Sequence, residues 1–129
     1  MLLQKHNQTQ KILKMPLTPQ HLEQVSVMME NFIAENRPPL EIRNQLDIGW
    51  KLDKQSVLLF DIRPDWNDET IIRQHPFAKA TWVQTRKEWQ IFWLRSTLKW
   101  QSYAPLQTVV NLKRFLLEVE QDPYGCFKG

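Results

Sequence analysis

Apolar residues recur along this chain in two rhythms. Leu22, Val25, Met29, Phe32 and Ile33, with Met28 beside them, fall on one stripe of a helix. Glu23, Gln24, Glu30 and Glu35 occupy much of the opposite side. Thr18-Pro19 starts that helix, a hydroxyl cap followed by proline at the first helical position. Pro38-Pro39 stops it near Asn36, because a residue before proline is pushed out of the α region. Pro39 opens a short turn over 40–43. The rhythm then becomes two. Leu46, Ile48, Trp50 and Leu52 alternate with Asp47, Gly49, Lys51 and Asp53, as in a strand with one wet face. After a turn at 53–55 the chain returns through Val57, Leu58, Leu59, Phe60 and Ile62, too continuously apolar for an edge. From Arg63-Pro64-Asp65-Trp66-Asn67-Asp68 the pattern breaks into a loop expected to reach about Pro76.

The stretch 78–103 then carries four of the six tryptophans. Aromatic and β-branched residues favour a pleated, half-buried surface, so it is the expected centre of the sheet. Two strands, 79–85 and 89–95, are joined by Arg86-Lys87-Glu88, and a third extended piece passes through Leu98, Trp100 and Tyr103. Trp89, Ile91 and Trp93 point one way while Phe92 and Leu94 point the other. That strand needs two covers: helices on one face and something else on the other. Val109, Leu112, Phe115, Leu116 and Val119 predict a second helix over 107–121, closed by Asp122-Pro123-Tyr124-Gly125. The order helix, four to five strands, helix predicts an α+β fold. An antiparallel sheet carries the N-terminal and C-terminal helices on one face. Residues 1–16 are Gln/Lys-rich without periodicity and are expected to be a flexible extension of a single domain at 17–129, with Met15 as an alternative start.

Charge narrows the function classes. Seventeen Lys+Arg against fourteen Asp+Glu gives +3, and Lys5, Lys11 and Lys14 supply all of it. A neutral body with a weakly basic tail is not the footprint of a dedicated phosphate binder. One cysteine excludes an internal disulfide. The longest apolar runs are only about five residues, far short of a membrane span, and the N-terminus lacks the apolar core of a secretory signal. Its acid-free, lysine-bearing start has some likeness to a transit peptide but lacks arginine. A cytoplasmic protein without a membrane partner is expected.

Candidate chemistry is sparse. Lys79 lies near Trp82, Arg86 near Trp89, Arg95 near Trp93 and Lys99 beside Trp100. Such interleaving suits stacked nucleobases and held phosphates. It equally suits rings that fill a core or an oligomer interface, with basic stems over their edges, and the neutral body favours that alternative. Arg63, Lys79, Arg95 and Lys99 would make an anion pocket if strand ends bring them together. Otherwise they pair with Asp61, Asp65, Asp68 or Glu88 at the surface. His6, His21, His75 and Cys126 lack the spacing of a metal site. Cys126 reads as a small buried residue rather than a nucleophile. Three glycines leave little room for a phosphate cradle, and no serine elbow or metalloprotease helix is present, so no cofactor is implied.

Six tryptophans are many for a chain of this length, and Trp, Tyr and Arg anchor interfaces. The leading expectation is a small non-enzymatic binding or protein-interaction domain, self-associating as a homodimer. Its candidate residues are Arg63, Trp66, Lys79, Arg86, Trp89, Trp93, Arg95, Lys99, Trp100 and Tyr103. A nucleic-acid-binding module is the second expectation, and an enzyme with Arg63 and Lys79 in an anion-recognising cleft the third.

Several of these residues also form an ordered set. Arg63-Pro64-x-Trp66, Ala78-Lys79, Trp89 with Trp93 and Arg95, and Lys99-Trp100-x-x-Tyr103-x-Pro105 precede a terminal Asp122-Pro123-x-Gly125-Cys126-Phe127. With Pro38-Pro39 after the first helix, the set resembles a bacterial domain family of unknown function, number 3024, over residues 20–129. That family often has histidine after the Lys-Trp pair, where this chain has Gln101, and tryptophan after Cys-Phe, where it has Lys128. An acid–base role for that histidine is therefore closed here. The resemblance implies no activity.

Overall fold

The computed structural model describes residues 17–128, so the expected extension at 1–16 lies outside the described residues. Helix α1 (Pro19–Asn36) starts where its cap predicts, with Thr18 Oγ1 accepting the His21 backbone N–H at 3.1 Å. It buries Val25, Met29 and Phe32. Arg37 leaves the helix in extended backbone and lays its guanidinium fork on Asp47, at 2.6 and 3.2 Å. This pair ties the helix exit to the first strand, and the Arg37 hydrogen bond holds the Asp47 carboxyl below the usual range. A single 3-10 turn at Leu40–Ile42 lies between them.

Strands β1 (Asp47–Asp53), β2 (Ser56–Pro64), β3 (Ile72–Val83), β4 (Glu88–Leu94) and β5 (Trp100–Ser102) form one antiparallel sheet in chain order. The short β6 (Thr108–Val109) pairs with Trp89 and Gln90, beyond the part of β4 that β5 takes up. Helix α2 (Leu112–Gln121) completes the α+β fold. On β1, Ile48 is buried and Trp50 packs against the core, donating its Nε1–H to Glu30 of α1 at 2.9 Å. Leu46, just before this edge strand, and Leu52, near its end, stay exposed.

Three expected boundaries are corrected. Half of the long loop to Pro76 is strand: β2 runs to Pro64 and β3 begins at Ile72, leaving a connection at 65–71. Leu98 does not continue an extended piece but turns through a left-handed conformation, φ 65°. The second helix begins at Leu112 rather than at 107, because Thr108 and Val109 pair with β4 and the Asn111 side chain caps the Lys113 N–H at 3.0 Å.

Both helices pack on one face of the sheet, over Val57, Leu59, Ala78, Ala80, Trp82, Trp89 and Ile91. Trp82 and Trp89 stand directly opposite each other on β3 and β4 with ring centroids 5.3 Å apart. His21 of α1 meets Trp82 edge-on at 4.8 Å. Such aromatic pairs add roughly 0.5–1.5 kcal/mol each beyond the area they bury. A bulge in β3 sets Pro76 opposite Phe60 and Ala78 opposite Leu59, with Phe77 as the extra residue. Phe77 and Ala78 both enter the helix-side core, and Pro76 sits where a strand tolerates proline.

One polar network crosses this core. Tyr103, wholly buried, donates its hydroxyl to Glu118 Oε2 at 2.6 Å, and Arg114 holds the other carboxylate oxygen at 3.0 Å. Burial, and then the bond to Glu118, push the phenol above its ordinary pKa of 10.0. The folded state therefore keeps a proton that the unfolded chain loses above pH 10, so stability falls as pH rises beyond that point. Tyr103→Phe removes a donor from a buried carboxylate and is expected to cost about 1–3 kcal/mol in urea unfolding at neutral pH. The same variant is expected to lose stability less steeply above pH 10 than the parent, which a pH series of urea midpoints checks.

Candidate functional site: the open face of the sheet

Alternation along the strands sends a second set of side chains away from the helices. On β1 and β2 these are Gly49, Lys51, Leu58, Phe60 and Ile62, by the register that pairs Gly49 with Phe60. On β3, β4 and β5 they are Lys79, Phe92, Leu94 and Trp100. Among the described residues no helix packs over this face.

Its floor is set by a glycine. The Phe60 ring lies so close over Gly49 that a Cβ there would sit 2.7 Å from the ring and 3.2 Å from the Ile62 Cδ1. Only glycine lets the ring lie flat on the neighbouring strand. Phe60 is thereby buried although no helix covers it, and Lys51 Nζ stands 5.8 Å from its ring centroid. Lys79 stands opposite Leu58 on one side and Phe92 on the other. Its Nζ lies 4.7 Å from the ring centroids of both Phe92 and Trp100. A cation between two rings is held by their negative faces. Burial draws the Lys79 ammonium below its ordinary pKa, and Asp53 pulls back the other way. Below this cluster Ser56 and Thr81 share a hydrogen bond of 2.7 Å.

At the rim the turn from β4 to β5 carries Leu98. Its N–H donates to the Arg95 carbonyl at 2.8 Å, and the Arg95 N–H to the Lys99 carbonyl at 3.0 Å. Leu98 closes this turn at φ 65° with its side chain 78% exposed. Glycine or asparagine is the residue that such a position takes at low cost. Leucine there is doubly unfavourable, in backbone and in solvation.

The structure separates the residues that sequence grouped together. Trp89 and Tyr103 are in the core at 1% and 0% exposure, and Trp93 packs half-buried against it. Trp100 and Lys79 lie together on the open face. Arg86 sits in the turn before β4 and pairs with Glu88 at 2.9 Å. Arg95 and Lys99 are exposed in the β4–β5 turn. Arg63 and Trp66 belong to the far end of the β2–β3 hairpin, with Trp66 93% exposed. By register Arg63 faces the opposite side of the sheet from Lys79, so a cleft combining the two does not form. Sequence reasoning left out Gly49, Lys51, Phe60, Phe92 and Leu94. The signal for Phe92 and Leu94 was their opposite parity to Trp89 and Trp93.

Other chemistries find little footing. Among the described residues no three His, Cys, Asp or Glu side chains group as metal ligands. Burial pushes the Cys126 thiol up, the reverse of what a nucleophile needs. No described helix is long and apolar enough to cross a membrane.

Replacing Leu98 tests the strain directly. Leu98→Gly relieves about 1–2 kcal/mol of left-handed backbone cost, offset by glycine's freer unfolded chain. A net gain of roughly 0.5–1 kcal/mol is expected, visible as a rise of about 2–5 °C in the thermal midpoint.

No curated protein matches the chain. No solved structure matches it either. A family model does, over residues 17–129, which takes in both helices and the whole sheet. On that match the chain belongs to the family described as domain of unknown function DUF3024.

Proposed function

We propose that this chain is a non-enzymatic interaction domain that self-associates through the open face of its sheet. The observation that carries the reading is the strip formed by the half-buried Phe92, Leu94 and Trp100 on a face no described helix covers. Contiguous apolar surface marks partner sites, and aromatic anchors supply most of the energy of such contacts. The charges of the face fit a second copy. Lys51 and Lys79 already rest on rings of their own sheet, and Asp53 and Glu88 share the face with them. A surface so balanced is complementary to itself across a twofold axis, and poorly matched to a polyanion. An exposed leucine held in a costly conformation at the rim supports the same use.

Light scattering over a concentration series is the test. A dimer is expected, and Phe92→Ser or Trp100→Ala is expected to shift it to monomer with the far-ultraviolet circular dichroism unchanged. Trp93→Ala, on the helix side, is expected to loosen the core instead. A parent chain that stays monomeric to about 1 mM, where even a contact of about 4 kcal/mol is half-populated, would defeat the proposal.

A second reading rests on one observation, the Lys79 ammonium set between the Phe92 and Trp100 rings. Rings that stack bases beside a cation that meets phosphate are how single-strand platforms are built. On that reading, affinity for a single-stranded oligonucleotide drops steeply between about 50 and 200 mM salt. An affinity that stays flat over the range rules it out.

A further inference from the structure

The projecting end of the β2–β3 hairpin holds a second feature, on the other side of the sheet from the open face and independent of it. Arg63, Pro64, Asp65, Trp66 and His75 line a cleft of about 280 Å³. That is just under the roughly 300–1,000 Å³ of ordinary small-molecule sites, so a ligand held there keeps part of itself in solvent.

The loop that presents Trp66 is built with care for so exposed a residue. Asp65 Oδ2 accepts the N–H groups of Asn67 at 3.0 Å and Asp68 at 3.1 Å. Its Oδ1 takes the Arg73 guanidinium at 2.6 Å. Asp68 in turn fixes Thr70 through backbone and hydroxyl, at 3.1 and 2.6 Å. The Asp65 N–H and the Ile71 carbonyl, 2.7 Å apart, close the loop. The backbone on either side of Trp66 is therefore held in place while its ring stands in solvent, so a contact there need not order the loop.

The charges beside it are unbalanced. Asp65 is spent on Arg73. Among the described residues Arg63 has no carboxylate within ion-pair distance. His75 stands across from Asp61 on the neighbouring strand. Burial raises the Asp61 carboxyl against the opposing pull of Arg63, Lys128 and His75. One carboxylate, Asp61, thus faces three basic side chains, Arg63, His75 and Lys128. The Lys128 backbone N–H is fixed by Asp122 Oδ2 at 2.8 Å. A guanidinium with free donors beside an exposed indole recognises a planar ring that carries an oxyanion.

We propose that this cleft binds a nucleotide unit of nucleoside-monophosphate size, the base stacked on Trp66 and the phosphate forked by Arg63, either free or at the 5′ end of a strand. The test uses the full chain labelled with ¹⁵N, its six indole N–H signals followed by NMR and that of Trp66 assigned from Trp66→Phe. Adenosine 5′-monophosphate is expected to move the Trp66 signal saturably. Adenosine and inorganic phosphate are each expected to bind about tenfold or more weakly, since each lacks one of the two contacts. Arg63→Gln and Trp66→Ala, both at exposed positions, are expected to weaken the nucleotide by about tenfold or more each. A 5′-phosphorylated dinucleotide binding tighter than the monophosphate identifies a strand end, and equal affinities identify a free nucleotide. The proposal is overturned if the Trp66 signal is unmoved at about 10 mM nucleotide, weaker than any specific site. It is equally overturned if only the Trp100 signal moves, or if Arg63→Gln leaves the affinity unchanged.

Discussion

A strand sends alternate side chains to opposite faces, and β4 carries large apolar groups on both. That constraint shapes the whole molecule. Trp89, Ile91 and Trp93 draw both helices to one side, where α1 and α2 also touch each other. With two helices spent on that face, Phe92 and Leu94 are left on the other. The sheet covers them as far as it can from its own residues. Phe60 lies flat on Gly49, and Lys79 folds over the Phe92 and Trp100 rings. Both are ways of shielding apolar surface without a further layer.

The parts of the fold governed by local chemistry were legible. Thr18, Pro19 and the Pro38-Pro39 pair fix both ends of α1, because a cap and a proline act through the backbone of their own turn. The start of α2 was not legible. Val109 lies three residues before Leu112 and extends its stripe, yet it is buried as a strand residue beside Trp89. Periodicity cannot distinguish the two placements. The outer part of β3 was missed for the opposite reason. Arg73, Gln74 and His75 have no apolar alternation to read, and their pairing rests on backbone bonds and on the Asp65–Arg73 contact.

The candidate site was legible in its residue types and hidden in its register. A turn at Arg86-Lys87-Glu88 would pair Trp82 with Phe92, whereas the observed ladder pairs Trp82 with Trp89 and Lys79 with Phe92. A shift of three positions changes which faces of the two strands coincide. It therefore decides whether Lys79 meets rings or solvent. Nor does a tryptophan's symbol tell whether it is core, like Trp89, or solvent-exposed, like Trp66. Only the neighbours across the sheet decide that.

The sheet order follows the chain without a crossover, from β1 through β5. Every strand pair on that path closes through a short connection, so each hairpin forms at small entropic cost before the next is needed. The contacts that span long distances in sequence belong to the helices, as when His21 reaches Trp82. By loop-closure entropy the hairpins are the cheaper contacts to form and helix docking the costlier ones. Until the helices dock, Trp82, Trp89 and Phe92 lie bare on two faces at once. The same aromatic strands that organise the native molecule are its most aggregation-exposed segment while it folds.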